Sequence, residues 1–268
     1  MKFTEKTVNG VPVLQADGFG PGAAHGFSTR EGGVSEGVYA TLNLGTSRGD
    51  DPKRVAENFN RFCAAVGVQQ KSLVCSAQVH GDEVRTCTGA DAGLGLDRSI
   101  DYEADALVTD VPGLTLAIFT ADCLPILLYD PVRAVVAAVH AGWRGTALGI
   151  VERTVEKMVS QYGSDPGNIL AAVGPGISPC CFETHEDVPN AMTEAMGAAA
   201  LGHIQAVEGG KFKVDLKGLN AQRLEAVGLR PEHIAVSPIC TACQSDRFWS
   251  HRVTGGARGS MAALISLR

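Results

Sequence analysis

Two imidazoles and one thiol stand at the ends of three apolar, strand-like segments of the sequence: His80, Cys123 and His140. Sites commonly form where strands end, because the sheet is rigid and the loops beyond it vary. If the three ends converge, their nitrogen and sulfur atoms suit zinc, and a fourth tetrahedral position remains for water or substrate. Water bound there becomes a nucleophile near neutral pH. The wide spacing leaves the alternative that these are unrelated buried residues.

An anion-binding feature follows His140 directly. The segment Trp143-Arg144-Gly145-Thr146 is predicted to open a helix, where free N–H groups and the helix dipole favour negative charge. The planar, permanently charged guanidinium of Arg144 adds a second means of holding phosphate or a polar purine edge. The alternative is a surface arginine beside a helix cap.

The predicted elements that must position these residues form a layered fold. Helices are predicted at 51–67, 146–162, from about 186, and 217–227, and the stretch 29–50 is predicted to be a long irregular loop. Strands are predicted at 24–28, 73–79, 84–88, 106–108, 114–119, 126–129, 134–139, 169–173, 212–214, 234–236 and 261–266, and Asn9-Gly10 is predicted to be a hairpin turn. Because strands outnumber helices and do not alternate strictly with them, we expect an α/β protein of the α+β type, with layered mixed β-sheets flanked by helices, in a single domain over residues 1–268.

Composition excludes several classes of function. Hydrophobic residues make up 45% of the chain and charged residues 19%, which is typical of a globular protein and not of a disordered one. The net charge is -6 and no stripe of Lys or Arg is present, so we expect neither nucleic acid nor membrane as a partner. Eight irregularly spaced cysteines and the absence of an apolar signal region predict a reducing, cytoplasmic location.

The remaining cysteine motifs are less informative. Cys240-Thr241-Ala242-Cys243 has the spacing of a zinc knuckle, but no second Cys-x-x-Cys is present to complete four ligands. Cys180 and Cys181 follow Pro179, and Cys181 is a candidate to line the site or to be a buried thiol. The sequence therefore favours ordinary thiols here over a second metal site.

Several motifs, in this order along the chain, resemble those of a known family. They include Gln78-Val79-His80-Gly81, Ala104-Asp105-Ala106, Ala121-Asp122-Cys123, His140-Ala141-Gly142-Trp143-Arg144-Gly145-Thr146, Gly174-Pro175-Gly176 and Phe248-Trp249-Ser250-His251-Arg252. From about His25 to the C terminus the sequence is similar to the bacterial laccase-domain family. That family is also called the polyphenol oxidase or purine nucleoside phosphorylase family, and one member is named peptidoglycan editing factor.

The resemblance implies a fold, a metal site and an activity. The expected fold is similar to that of toxin-type cysteine hydrolases, and the expected metal ligands are His80, Cys123 and His140. The expected metal is zinc in preference to copper. The implied activities are phosphorolysis of adenosine, inosine, guanosine and methylthioadenosine, and deamination of adenosine, so the implied partners are a small-molecule nucleoside and phosphate.

Deamination and phosphorolysis require further side chains, for which the sequence offers candidates. Asp122 and Glu183 are the carboxylates that could shuttle protons, and the sequence does not choose between them. Arg30, Asn43 and Gln78 are candidate pocket residues, although each could equally bond its own loop.

A metal-carrying regulatory or binding protein with no turnover remains an alternative to an enzyme, and two other enzyme functions also remain open at this stage. One is a metal-free cysteine hydrolase or peptidoglycan-precursor editing enzyme, with Cys123 as nucleophile and His140 as base. The other is a single-copper polyphenol oxidase. Multicopper oxidases resemble one another in their many His-x-His pairs, whereas this chain has seven His and no such pair. One copper ion cannot carry out the four-electron reduction of oxygen, so the sequence argues against true laccase chemistry.

Overall fold

Fifteen β-strands, six α-helices and eight short 3₁₀ helices account for the regular structure, and the computed structural model describes all of residues 1–268. The strands are β1 (Phe3–Val8), β2 (Val11–Ala16), β3 (Ala23–Ser28), β4 (Leu73–Val74), β5 (Val84–Thr86), β6 (Ala106–Thr109), β7 (Thr115–Thr120), β8 (Leu124–Asp130), β9 (Val135–Ala141), β10 (Leu170–Val173), β11 (Glu183–Thr184), β12 (Ile204–Val207), β13 (Lys211–Val214), β14 (Ile234–Val236) and β15 (Met261–Leu267). The helices are α1 (Pro52–Val66), α2 (Trp143–Leu148), α3 (Ile150–Tyr162), α4 (Asp187–Met196), α5 (Leu216–Ala226) and α6 (His251–Thr254).

The strands form three sheets. The first has the order β1-β2-β3-β15-β7-β4, the second β14-β10-β8-β9-β6-β5, and a small third sheet has the order β11-β13-β12. In the first sheet only β4 pairs in parallel with its neighbour, and in the second the parallel pairs are β10 with β14 and β5 with β6. The predicted mixed sheets are therefore confirmed.

The two large sheets pack face to face between layers of helix. Along β15, Ala263 and Ile265 face the core between the sheets, whereas Ala262 and Leu264 face the core under α1. The outer face of the second sheet packs on α3, α4 and α5. A strand that is covered on both faces is apolar at successive positions, which explains the continuous apolar runs of the central strands.

Most predicted elements are present with bounds that differ by at most two residues at either end, and two differ by more. Asp51 caps α1 by accepting from the backbone N–H of Lys53, and the Asn9-Gly10 turn joins β1 to β2. The helix predicted at 146–162 begins earlier, at Trp143, and is broken at Gly149, whose φ of +80° ends α2 before α3 begins. The strand predicted at 73–79 ends at Val74, because residues after it turn away to meet Asp105.

The three expected ligands belong to different elements. His80 lies in the loop after β4, Cys123 in the turn between β7 and β8, and His140 within β9. The first ligand is thus on a loop and not on a strand end. None of the six α-helices has the length and apolarity needed to cross a membrane.

Candidate metal centre and cavity

His80, Cys123 and His140 converge in the folded chain. Their ligand atoms lie within 4.8 Å of one another. His140 is buried, Cys123 is half-buried and His80 is exposed, so the group spans the wall of the protein from core to surface. Two nitrogens and one sulfur at this separation are the donor set and ligand number of a zinc site that keeps one position open.

Asp105 organises this group from behind. Its carboxylate is completely buried and accepts a 2.7 Å hydrogen bond from His140 Nδ1. The same carboxylate accepts the backbone N–H groups of Val79, His80 and Gly81 at 2.8 to 3.1 Å. His140 is therefore held with Nε2 facing Cys123, which is the arrangement that a metal-ligating histidine requires. Sequence reasoning assigned Asp105 no role, although it belongs to the Ala104-Asp105-Ala106 motif and directly precedes an apolar strand.

Backbone geometry shapes the same region. His80 has φ +63° and Asp122 has φ +88°, a left-handed conformation that is uncommon for residues with a Cβ. Non-glycine residues in this region concentrate at functional sites. A Cβ at Gly142 would lie 2.9 Å from His80 Cδ2 and 3.2 Å from Cys123 Sγ, so glycine is needed there for the ligands to approach one another.

The electrostatics favour the charged forms of Cys123, His140 and Asp105. Burial by itself would raise the pKa of the Cys123 thiol, but the neighbouring His140 and His80 imidazoles outweigh it and lower the pKa to about 6. Burial would likewise lower the pKa of His140, but the Cys123 thiolate and the Asp105 carboxylate raise it to about 9. Burial acts to raise the pKa of Asp105, yet the hydrogen bonds from His140 and the backbone hold that pKa below its ordinary value. The thiolate that binds metal is therefore favoured near neutral pH.

A cavity of about 700 Å³ opens onto His80, Cys123 and His140. This volume is within the range that holds small-molecule ligands. Three arginines, Arg48, Arg252 and Arg258, line the same cavity. Arg258 is buried, and its Nε makes no hydrogen bond within the protein. Sequence reasoning gave these arginines no role, because Arg48 and Arg258 lie on irregular segments and Arg252, although part of a family motif, lies in α6, far from His140 in the chain.

Burial and the charge of Arg48 lower the pKa of Arg258 to about 10, so this buried guanidinium remains positive at neutral pH. A buried cation with a free donor beside a water-accessible cavity is a favourable partner for an anion.

Two other predicted site residues also line the cavity. Gln78 pairs with the backbone of Phe119, donating to its carbonyl at 2.8 Å and accepting its N–H at 2.7 Å. Asp122 accepts hydrogen bonds from Thr241 Oγ1 at 2.7 Å, Ser250 Oγ at 3.0 Å and the Arg252 backbone at 2.7 Å. Both side chains thus hold the walls of the cavity together.

Five predicted residues do not line the cavity: Arg30, Asn43, Arg144, Cys181 and Glu183. Arg30 stacks on Trp249 and donates to the carbonyls of Ala40 and Ser245, and buried Asn43 accepts from the backbone of Gly45 and Ser260. Exposed Arg144 lies over the ring of Trp143. Glu183 pairs with Lys211 at 2.7 Å, and Cys181 belongs to a separate cysteine cluster.

The chain is similar to a known family and to several named proteins. The sequence profile of the family described as "Multi-copper polyphenol oxidoreductase laccase" matches residues 24–268. A protein of Deinococcus radiodurans named "Purine nucleoside phosphorylase" is 42% identical over 261 residues, which cover 97% of this chain and 95% of that protein. "Purine nucleoside phosphorylase YfiH" of Escherichia coli is 39% identical, over 92% of this chain and 94% of that protein.

Solved structures agree with the fold. The crystal structure of YlmD from Geobacillus stearothermophilus superposes with a TM-score of 0.93 at 34% identity and covers 99% of this chain and 98% of that one. The structure of the Bacillus licheniformis hypothetical protein YfiH gives the same TM-score at 31% identity, over 99% of both chains. The layered fold described above is therefore shared with these proteins along the whole chain.

Proposed function

Because the chain belongs to the family described as multi-copper polyphenol oxidoreductase laccase, and its relatives are named purine nucleoside phosphorylases, we propose that it catalyses phosphorolysis of purine nucleosides. The observation that carries this proposal is one cavity lined both by His80, Cys123 and His140 and by three arginines. Adenosine, inosine, guanosine and methylthioadenosine are the proposed substrates, and the whole chain acts as a single catalytic domain.

We propose zinc as the metal of the His80, Cys123 and His140 group. The fit rests on this chain's own geometry, in which Asp105 fixes the orientation of His140 and the Cys123 thiolate is favoured. When bound, zinc supplies a Lewis acid and lowers the pKa of a bound water.

The reaction requires binding of a phosphate dianion next to the nucleoside. A phosphate oxygen forms a bond to ribose C1′ as the bond from C1′ to the purine nitrogen breaks, and the purine leaves with that electron pair and takes up a proton. Arg48, Arg252 and Arg258 bind the phosphate in this proposal, since all three line the cavity. Arg144 at the start of α2 is the competing phosphate site, and its exposure outside the cavity makes it the weaker one.

Adenosine deamination is a proposed second activity of the same site. It needs a carboxylate to move protons, and Asp122 is the acidic side chain among the cavity residues. Its three hydrogen bonds fix that carboxylate in place, so we assign Asp122 the positioning of the Thr241 and Arg252 segments. Phosphorolysis accordingly has more support than deamination.

A cysteine hydrolase is the second candidate, and a specific geometry favours it. Cys123, His140 and Asp105 stand in the relation of a nucleophile, a base and the carboxylate that orients the base. Without metal, these residues could attack an acyl substrate. The metal content of the active protein separates this candidate from the first.

The test uses protein purified without chelator. Inosine and adenosine are incubated with and without phosphate, and free base, ribose 1-phosphate and ammonia are measured. We expect phosphate-dependent release of base, its loss in Cys123→Ser, and an increase in the phosphate KM of about 10-fold or more in Arg258→Met from the loss of a charged hydrogen bond. Arg144→Ala serves as the matched control with an unchanged phosphate KM. The proposal would be refuted if free base were released at the same rate with and without phosphate, or if protein stripped of metal were active.

A further inference from the structure

A second group of potential metal ligands lies outside the cavity lining. The Sγ atoms of Cys180, Cys181, Cys240 and Cys243 lie within 4.8 Å of one another, and all four are free thiols. Cys243 Sγ is 3.4 Å from Cys180 Sγ and 3.3 Å from Cys181 Sγ. Cys243 thus brings its sulfur against those of two residues that lie 62 and 63 positions earlier in the chain.

From this geometry we infer a second metal site, a structural tetrathiolate zinc centre formed by Cys180, Cys181, Cys240 and Cys243. Four sulfurs around zinc at about 2.3 Å are separated from one another by about 3.8 Å in a tetrahedron, which is near the separations observed. A disulfide needs about 2.05 Å between two sulfurs, whereas here Cys243 lies almost equally far from two partners.

Backbone hydrogen bonds support the thiolate form of Cys240, one of the four sulfurs. Cys240 Sγ accepts the backbone N–H of Ser178 at 3.4 Å, and the backbone N–H groups of Ala242 and Cys243 also point to it. Donors of this kind stabilise a charged sulfur. The Cys-x-x-Cys turn at 240–243 therefore has the form of a ligand-bearing knuckle.

Two cations lie beside the group, whose net charge with zinc bound would be negative. Four thiolates and one zinc ion carry a net charge of about −2. Lys217 is buried, and its three hydrogen bonds go to Ser178 Oγ and to the carbonyls of Ser237 and Ile239, none to a carboxylate. Arg252 donates to the carbonyl of Cys181 at 2.9 Å. The thiolates supply a counter-charge for these two cations.

The site would fix one wall of the cavity. Gly176 and Cys240 form a β-bridge, and Thr241, inside the knuckle, donates to Asp122. Arg252 lines the cavity and is tied by its guanidinium to the Cys181 carbonyl. Loss of the second zinc should therefore lower the thermal stability and raise KM more than it lowers kcat.

The experiment measures zinc per chain in protein grown with zinc and purified under reducing conditions without chelator. The variants are Cys123→Ser, the double variant Cys180→Ser with Cys243→Ser made both in wild type and in Cys123→Ser, and Cys63→Ala as a control that removes a buried thiol elsewhere. We expect the double variant to lose about one zinc relative to wild type whether or not Cys123 is present, and Cys63→Ala to lose none. The zinc lost by the double variant therefore reports on the cysteine group alone. The comparison of Cys123→Ser with wild type tests separately whether zinc binds at His80, Cys123 and His140.

Cobalt substitution provides a readout that does not depend on the double variant folding. Wild-type and Cys123→Ser protein loaded with cobalt should both show the intense sulfur-to-cobalt charge-transfer absorption of a tetrahedral thiolate site. The single variant Cys180→Ser, which changes an exposed residue, should weaken it. Equal zinc in the double variant and wild type, no charge-transfer band in Cys123→Ser, or a disulfide among these cysteines in the reduced preparation would each overturn the inference.

Discussion

Asp105 is the residue whose replacement tests the architecture of the metal centre most directly. One of its oxygens, Oδ1, accepts from His140 Nδ1 and from the backbone of His80, and Oδ2 accepts from the backbone of Val79 and Gly81. In Asp105→Asn an NH2 group must replace one of these oxygens. Whichever oxygen the NH2 group replaces, it faces two N–H groups that it cannot accept, so two of the four hydrogen bonds are lost.

The expected magnitude follows from those two hydrogen bonds. A hydrogen bond to a charged group contributes roughly 1.5–3 kcal/mol, so the loss of two would cost about 3–6 kcal/mol without relaxation. Since the loop at His80 can relax, we expect the free energy of unfolding to fall by about 3 kcal/mol. Loss of a partner that orients a ligating histidine lowers metal affinity by about 10–100-fold.

Two assays separate stability from metal binding. Denaturant unfolding gives the free energy, and competition with a chromophoric chelator gives the affinity of the zinc that is lost in Cys123→Ser. Asp91→Asn is the matched control, because Asp91 is also buried and accepts from Arg85 and Thr88 but lies away from the cavity. It should lose stability and keep its zinc affinity. Unchanged zinc affinity in Asp105→Asn, or an equal loss in both variants, would refute the role assigned to Asp105.

Three further outcomes are expected. Burial lowers the pKa of His25 to about 4, below its unfolded value of about 6.5, so protonation favours the unfolded state. The free energy of unfolding should therefore fall by up to about 3 kcal/mol as the pH is lowered from 6.5 to 4, as measured by denaturant unfolding at each pH. His25→Gln should remove most of this pH dependence. Leu116→Ala, in a completely buried position between the sheets, should lower the free energy of unfolding by about 3 kcal/mol, and an effect below about 1 kcal/mol would contradict the packing described here. Arg30→Ala removes the stacking on Trp249 and three hydrogen bonds, so calorimetry should show a lower Tm. We expect the nucleoside KM to be unchanged, because the role of Arg30 is structural; a raised KM would indicate substrate binding instead.

The sequence by itself determined the elements with strong local signals. Asp51-Pro52 and Gly67 fix both ends of α1 through capping, and Asn9-Gly10 fixes a hairpin, because these residues act on their immediate neighbours. The three expected ligands were also named from residue type and segment ends, and the family resemblance extended along almost the whole chain. The break at Gly149 was missed, since a single glycine inside an apolar helical pattern does not reveal its φ angle.

Only the tertiary structure decided which polar residues share a site. Arg144 stands next to His140 in the chain yet points away from the cavity, whereas Arg258 lines it from a segment more than a hundred residues distant. The fold also brings Cys180 and Cys181 to Cys240 and Cys243. The sequence contains no second Cys-x-x-Cys motif, and two adjacent cysteines occupy the place beside Cys240 and Cys243 that such a motif would take. Local patterns report periodicity and capping, but the pairing of loops at a sheet edge depends on non-local packing. The sequence could therefore propose ligands, while the fold alone determined which residues surround them.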